Sequence, residues 1–157
     1  MGKNDRGNNR RKIRILEKIM YYNFEKTKDI KPINNEFEIA NPNELYDRLM
    51  KVWSIETCAP RLRSKWSSEN RTVGQCSITS FLVQDIFAGE VYGVPLAEGG
   101  FHCFNVIDGV MFDLTNEQFD KPLTYTLDYL QNRNNHFSSK EKYERYILLK
   151  QNLKKTC

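Results

Sequence analysis

Three residues of types that can form a catalytic triad occur in the order cysteine, histidine, acid. Cys76 opens a segment, 76–87, whose apolar residues have helical spacing, and His102 and Asp113 lie on either side of an Asp-Gly pair. A helix dipole favours thiolate at the helix N-terminus, and a histidine held by a carboxylate can remove a thiol proton. The pattern predicts Cys76 as nucleophile, His102 as base and Asp113 as the group that orients the base.

The position of Asp113 relative to His102 follows from the turn between them. Asp-Gly between two apolar runs is a strong hairpin signal, and as turn residues 108–109 would pair Ile107 with Val110. Continuing that register outward makes His102 and Asp113 diagonal neighbours on one face, close enough for a hydrogen bond. The same alternation puts Cys103 and Asn105 on the opposite face, away from the triad.

Three further residues are candidates for oxyanion or substrate binding. The backbone N–H of Cys76 would supply one oxyanion donor and the Gln75 side chain a second, although Gln75 fits a turn residue equally well. Trp66, in the irregular segment 57–74, is a candidate cleft wall or a buried aromatic anchor. Asn105 is the third candidate, and we expect structural hydrogen bonds for both Asn105 and Gln118.

Two other interpretations compete with the enzyme. A free cysteine is commonly a small buried hydrophobe, so the chain could be a non-catalytic binding or immunity-type module. Cys76 would then react with iodoacetamide no faster than Cys58 or Cys103. A zinc site made by Cys76, His102 and Cys103 is disfavoured because residues 102 and 103 point to opposite faces of a strand. We therefore expect neither a metal nor another cofactor. His136 lies in a polar stretch with no carboxylate nearby.

The elements that must position these residues can be read from spacing and cap signals. We predict a strand near 90–96, a Gly-Gly turn and the hairpin around 108–109. The predicted helices cover 11–23, 44–54 with Asn43 as cap, 76–87 ended by Gly89, and a last segment capped by Ser138 or Ser139. Residues 1–10 are predicted to be a disordered basic tail, and 11–157 a single α+β domain.

Composition limits the class of protein. The chain has 157 residues, 39% of them hydrophobic, and lacks an apolar run of the roughly 20 residues that a membrane span needs. The N-terminus shows no secretory signal and the four cysteines form no CxxC pair, so we expect free thiols in a cytoplasmic protein.

The basic residues are concentrated near the two ends of the chain. The net charge is +4, and the segment 21–139 between the basic ends is acidic. Solvated helix faces and a tail explain these short basic ends better than nucleic-acid binding does. The expected partner is a peptide, amide or acyl substrate, with no membrane, and the sequence carries no signal of an oligomeric state.

Six motifs lie between about residues 53 and 153: "CAP", Trp66 with "SSEN", "GQCSITSFLVQD", "G-x-x-HCFN", "DGVMFDLTNEQF" and "ERYILLK". Together they resemble the YunG-like family of uncharacterised bacterial proteins. More distantly, the order of a helix-starting cysteine followed by His and Asp on consecutive strands resembles the transglutaminase and arylamine N-acetyltransferase branch of papain-like enzymes. This resemblance implies a papain-like α+β domain with the cysteine helix packed on an antiparallel sheet, and the triad roles given above for Cys76, His102 and Asp113.

The resulting hypothesis is a cysteine hydrolase or acyltransferase that acts on an amide, isopeptide or thioester bond. His102 would deprotonate Cys76, the thiolate would attack the carbonyl carbon, and a second nucleophile would release the acyl group. Water as that nucleophile makes the protein a peptidase or amidase, and an amine makes it a transferase.

Overall fold

The computed structural model describes residues 20–157. The predicted tail 1–10 and most of the predicted helix 11–23 lie outside these residues. The last four residues of that helix, 20–23, are not helical: Asn23 has a φ of 62°, and Tyr22 forms an isolated antiparallel bridge with Asp113. A residue with positive φ cannot continue a right-handed helix, so the prediction was wrong at this end.

The described chain is α+β. Its α-helices are α1 (Phe24–Thr27), α2 (Pro42–Val52), α3 (Cys76–Phe87), α4 (Arg133–Phe137) and α5 (Lys140–Lys154), and its strands are β1 (Glu90–Pro95), β2 (Phe101–Ile107) and β3 (Val110–Phe112). Short 3-10 helices cover Pro60–Lys65 and Asn116–Gln118. The three strands form one antiparallel sheet in the order β1-β2-β3.

The hairpin has the register that its turn predicted. Ile107 pairs with Val110 and Asn105 with Phe112, and both turn residues have positive φ, 51° at Asp108 and 76° at Gly109. Positive φ at both central positions is the requirement of a type I′ turn, whose twist matches that of the flanking strands. The side-chain alternation derived from this turn therefore holds along β2.

Helix α2 begins two residues earlier than the sequence suggested. Its N-cap is Asn41, whose side chain accepts a hydrogen bond from the N–H of Glu44 at 3.0 Å, and Pro42 is the first helical residue. Proline suits this position because its missing N–H would have no partner there. Asn43 lies inside the helix and its side-chain oxygen accepts a hydrogen bond from the hydroxyl of Tyr21.

The main core lies where the helices pack on one face of the sheet. Each of three helices contributes a buried apolar stripe, and these stripes meet Phe112 and Leu114. The stripes are Leu45, Leu49 and Trp53 from α2 and its C-cap, Ile78, Leu82 and Ile86 from α3, and Tyr146, Leu149 and Leu153 from α5. Spacings of three and four residues bring each set to one side of its helix.

The other face of the sheet is covered by the chain that follows β3. Tyr125 contacts Phe104 edge-on with ring centroids 5.0 Å apart, and Phe119 contacts His102 at 4.7 Å. Beyond them, the Tyr129 carbonyl accepts a hydrogen bond from the N–H of Gly93, and the N–H of Gln131 donates to the Val91 carbonyl, along the edge of β1 that does not face β2. His102 is therefore covered on this face, and its side chain is buried. Within residues 20–157 no helix has the length and apolarity to cross a membrane.

Candidate active site

The hydrogen bond predicted between His102 and Asp113 is present. His102 Nε2 lies 2.6 Å from Asp113 Oδ2, and both side chains are 1% exposed. The other carboxylate oxygen accepts from the N–H of Thr115 at 3.0 Å and from its hydroxyl at 3.2 Å. A buried carboxylate held by this many donors has one orientation and fixes the orientation of the imidazole that it contacts.

Tyr125 is a further contributor that the sequence analysis missed. Its hydroxyl donates to Asp113 Oδ2 at 2.7 Å, and its ring stacks on Tyr22 with centroids 4.2 Å apart and planes 7° from parallel. Burial and the charge of Asp113 raise the pKa of Tyr125, so this hydroxyl remains protonated and donates. The bridge between Tyr22 and Asp113 brings this ring pair to the site.

Local backbone geometry places Cys76 at the first position of α3. Gly74 has a φ of 70°, and a Cβ at this position would lie 2.5 Å from Cys58 Sγ and 2.8 Å from the Ala59 nitrogen. Only glycine fits such a close approach at positive φ. Thr79 N–H makes the first helical bond, to the Gln75 carbonyl, so the N–H groups of residues 76–78 have no carbonyl partner within α3.

The buried side chain of Arg145 ties α5 to the loop before Cys76. Its guanidinium donates to the carbonyl oxygens of Thr57 at 3.0 Å and Gly74 at 3.5 Å, and it forms an ion pair with Glu141. A bidentate-capable guanidinium suits this role because its donors are fixed in one plane. The "ERYILLK" motif thus supplies both a core stripe and an anchor for the turn that begins α3.

Helix α3 crosses the sheet so that Cys103 lies opposite Cys76. Asn105 Nδ2 donates to the Ser80 carbonyl at 2.8 Å, and Gly89, just after α3, approaches Ile107, so α3 and β2 run in the same sense. Cys76 lies four helical residues before Ser80, and Cys103 lies two strand residues before Asn105. Each step is a displacement of about 6 to 7 Å along its element, so Cys76 and Cys103 are brought opposite each other. The expectation that Cys103 lies away from the triad was therefore wrong.

The reason is that Cys76 lies beside an edge of β2 that no strand covers. The backbone N–H of Gly93 donates to the Tyr129 carbonyl, so the N–H and C=O of Gly93 point away from β2. In an antiparallel pair, the N–H and C=O of its partner Cys103 must then point away from β1. β3 pairs with β2 only as far as Asn105. The N–H of Cys103 therefore points to the open edge, and its interaction with Cys76 lowers the pKa of Cys76. Cys76 in turn raises the pKa of His102, whose side chain lies on the other face of β2.

The surroundings of Cys76 favour a thiolate. The interaction with the Cys103 side chain is the largest effect that lowers the pKa of Cys76, and it outweighs desolvation; His102 and the Cys103 N–H lower the pKa further. The thiol contacts His102 without a fully formed hydrogen bond, because His102 Nδ1 is buried and has no partner in hydrogen-bond geometry.

The pKa of His102 moves in the complementary direction. Desolvation lowers it, but the charge and hydrogen bond of Asp113 and then the contact with Cys76 raise it to about 10. The two buried thiols, Cys58 and Cys103, differ from Cys76. Desolvation raises the pKa of Cys58, and the interaction with Cys76 is the largest cause that raises the pKa of Cys103. At neutral pH the arrangement favours a thiolate–imidazolium pair at Cys76 and His102, with neutral thiols elsewhere in this set.

His136 lies closer to Cys76 than its polar sequence context suggested. It is in α4, packed on Phe81 at 5.1 Å and Phe137 at 5.0 Å, and the charge of Cys76 influences its titration. Desolvation is the main reason that the pKa of His136 falls to about 4, and its Nε2 is buried without a hydrogen-bond partner. Burial thus favours a neutral imidazole at this position.

The three predicted binding residues are held by structural hydrogen bonds. Gln75 is buried and donates to the Ser54 carbonyl at 2.9 Å, so its amide anchors the preceding loop. Asn105 is buried against Ser80, as expected for a structural residue, and Gln118 donates to the Thr115 carbonyl at 2.9 Å. Trp66 is half-buried, donates to the Arg71 carbonyl at 2.9 Å and packs beside the Arg71 guanidinium.

The zinc alternative was argued against on an incomplete premise, since Cys76 contacts both His102 and Cys103. Even so, among residues 20–157 no group of three His, Cys, Asp or Glu side chains is arranged to hold a metal ion.

Comparison with known proteins places the chain in a family. A family model described as YunG protein matches residues 41–157. Over 62 residues the chain is 40% identical to "Uncharacterized protein YunG" of Bacillus subtilis (strain 168); the match covers 40% of this chain and 53%, about half, of that protein. No solved structure matches the chain. Since the family model covers most of the sequence and includes every residue of the site from Cys58 to Arg145, this chain belongs to the YunG family.

Proposed function

We propose that this protein is a cysteine hydrolase or acyltransferase acting on an amide, isopeptide or thioester bond. The observation that carries the proposal is the buried hydrogen bond between Asp113 and His102, which leaves Nδ1 of the imidazole for Cys76 at the start of α3. A nucleophile, a base and a group that orients the base are the parts that nucleophilic catalysis requires.

In the first half of the reaction, the Cys76 thiolate attacks the carbonyl carbon of the substrate. The helix dipole and the Cys103 donors hold the sulfur as thiolate before attack. His102 carries the proton on Nδ1 and donates it to the leaving group as the carbon–heteroatom bond breaks. The product of this step is a thioester between the acyl group and Cys76.

The negative charge that develops on the carbonyl oxygen needs fixed donors. The N–H groups of residues 76–78 have no carbonyl partner within α3, and that of Cys76 is nearest to the sulfur. We assign the oxyanion position to the start of α3. The Gln75 amide uses a hydrogen for Ser54, so in this mechanism Gln75 fixes the turn.

In the second half, His102 accepts a proton from the acyl acceptor as that acceptor attacks the thioester. The carboxylate of Asp113 stabilises the imidazolium in each half and keeps the ring in one orientation. Water as acceptor gives hydrolysis, and an amine gives acyl transfer. The chain order of cysteine helix, histidine strand and acid supports the proposal that the fold is papain-like, of the transglutaminase and arylamine N-acetyltransferase branch.

The proposal is tested by trapping the acyl intermediate. Protein is incubated with an activated thioester or aryl ester of a short acyl group, quenched in acid and mapped by mass spectrometry. We expect the acyl group on Cys76, and we expect Cys76→Ser to lose this adduct. Cys157→Ser is the matched control, because Cys157 is an exposed thiol far along the chain from the triad.

The binding-module alternative makes the opposite prediction. If Cys76 acquires no more acyl group than Cys58 or Cys157, the thiol is not an activated nucleophile and the enzyme proposal fails. If Cys76 is acylated in the wild type but the His102→Gln variant is acylated and deacylated at the same rates, Cys76 is a nucleophile and the proposed role of His102 in a triad is refuted.

A further inference from the structure

Cys76 and Cys103 are the two thiols that the packing of α3 on β2 brings together. Their proximity follows from the Asn105–Ser80 hydrogen bond and the shared direction of the two elements, and each thiol shifts the pKa of the other. We infer that Cys76 and Cys103 form a reversible disulfide when the protein meets a hydroperoxide.

The two thiols differ in access, which sets the order of events. Cys76 is partly exposed, whereas Cys103 is 4% exposed and packs with Phe81, Val91 and Phe137. A small oxidant therefore reaches Cys76 first. Oxidation by peroxide needs a thiolate, and of these two sulfurs Cys76 has the lowered pKa.

The first step is attack of the Cys76 thiolate on the peroxide O–O bond. An S–O bond forms and the O–O bond breaks. The group that leaves is hydroxide from hydrogen peroxide, which takes up a proton to become water, or alkoxide from an alkyl hydroperoxide, which takes up a proton to become an alcohol. Cys76 is then a sulfenic acid, oxidised by two electrons, and the peroxide has been reduced by the same two.

The second step is favoured by the loss of charge at Cys76. The hydrogen bond to Cys76 is the first cause of the raised pKa of Cys103 and the charge of Cys76 is the third, after desolvation. Both causes disappear when the thiolate becomes a neutral sulfenic acid. The Cys103 sulfur then attacks Cys76, the S–O bond breaks, and the hydroxyl leaves with the thiol proton of Cys103 as water.

The disulfide would remove the nucleophile of the proposed reaction and protect it from irreversible oxidation. A thiol reductant restores both cysteines by exchange. The inference concerns the same sulfur as the proposed acyl chemistry but does not require that chemistry, since the bond can be detected with no acyl substrate present. Either proposal can therefore fail alone.

The test treats the whole protein with a small excess of hydrogen peroxide and maps the products. A glutamate-specific protease is needed, because the sequence has no Lys or Arg between Arg71 and Lys121 while Glu90 and Glu98 separate the two cysteines. We expect one cross-linked pair of peptides, lighter than the reduced pair by two hydrogens. In unfolded protein, two of the four thiols should become unavailable to alkylation and return after reduction with dithiothreitol.

Two variants serve as comparisons. In Cys103→Ser the sulfenic acid lacks its thiol partner, so Cys76 should proceed to the sulfinic acid and should not be restored by dithiothreitol. Cys58→Ser is the matched control, since Cys58 is also buried but its sulfur lies against the Ala59 carbonyl, and it should leave the cross-link unchanged.

The inference is overturned if wild-type Cys76 is oxidised to the sulfinic acid while Cys103 remains a free thiol. It is equally overturned if the cross-link joins Cys76 to Cys58 or Cys157, or joins two chains. Because these outcomes are read in the wild-type protein, they hold even where a variant folds poorly.

Discussion

The two histidines of this protein occupy contrasting environments, although the charge of Cys76 influences both. His102 lies on β2 with a buried carboxylate 2.6 Å away, and its pKa rises to about 10 against the effect of desolvation. His136 lies on α4 between aromatic rings, and desolvation lowers its pKa to about 4. The charge of Cys76 contributes a rise in pKa at each histidine.

The difference shows that proximity to a thiolate does not by itself make a histidine a base. Burial favours the neutral imidazole at both positions, and at His102 the Asp113 carboxylate is the main cause that reverses that preference, with a smaller contribution from Cys76. A sequence search for cysteine and histidine pairs would treat the two residues alike. The acid on the neighbouring strand is the feature that separates them.

The largest effect should follow from removing the carboxylate beside His102, which leaves a buried imidazole without an acid partner, like that of His136. In Asp113→Asn the carboxylate is lost while desolvation remains, so the pKa of His102 should fall from about 10 to about 6.5 or below. The measurement is an NMR titration of the ring protons, which is simple because the chain has two histidines. His136→Gln assigns the signals.

The pKa of His136 should stay unchanged in Asp113→Asn. A pKa of His102 that remains near its wild-type value in this variant would mean that the thiolate, and not the carboxylate, holds the proton.

The second effect concerns stability and involves only His136. Its folded pKa of about 4 lies below its unfolded value of 6.5, so the unfolded state binds the proton first as pH falls. Stability from this group is present above pH 6.5 and is lost as pH falls toward 4, by up to about 3 kcal/mol. Urea unfolding at several pH values measures it.

His136→Gln is the comparison for that experiment, and its free energy of unfolding should fall less steeply between pH 6.5 and 4. Glu117, whose pKa burial raises to about 7, acts in the opposite direction and is present in both proteins. Its contribution cancels in the difference. Equal slopes for the two proteins would refute the lowered pKa of His136.

The third effect is on the reactivity of Cys76. In His102→Gln an amide can still donate to Asp113, but the positive charge beside the thiolate is lost. The Cys103 donors remain, so we expect the rate of iodoacetamide labelling at pH 7 to fall by about tenfold, the effect of roughly one pKa unit. His136→Gln should change this rate little. Equal rates in the wild type and His102→Gln would show that Cys76 and His102 are not coupled.

The smallest effect is expected for Tyr125→Phe. The ring can still stack on Tyr22, and Asp113 loses one donor among several, so we expect a loss of about 1 to 2 kcal/mol in unfolding free energy. The pKa of His102 should not fall, since Asp113 remains charged beside it. A fall as large as that in Asp113→Asn would make Tyr125 part of the proton relay instead of a support for the carboxylate.

Features that depend on neighbouring residues were predictable from the sequence. The Asp108-Gly109 turn fixed the register of β2 and β3, and helix α3 begins and ends at the residues expected from its spacing. The cap of α2 was placed two residues late, at Asn43 instead of Asn41, although Pro42 at the first helical position was the available signal.

Contacts that depend on docking were not predictable. The alternation of β2 was right, but it describes an isolated strand and contains no information about a helix that ends at the strand's uncovered edge. This is why Cys103 was assigned to the wrong neighbourhood. Tyr125 was missed for a similar reason, since its approach to Asp113 depends on the path of an irregular segment.

The two-residue turn between β2 and β3 also limits how this family can diverge. Side chains alternate along a strand, so inserting or deleting one residue between Ile107 and Val110 would send Asp113 to the opposite face while leaving every triad residue in the sequence. A substitution that can adopt positive φ would keep this register, whereas a change of one residue in the length of the turn would not. A relative that keeps Cys76, His102 and Asp113 but not this spacing should be expected to have lost the hydrogen bond between the histidine and the acid.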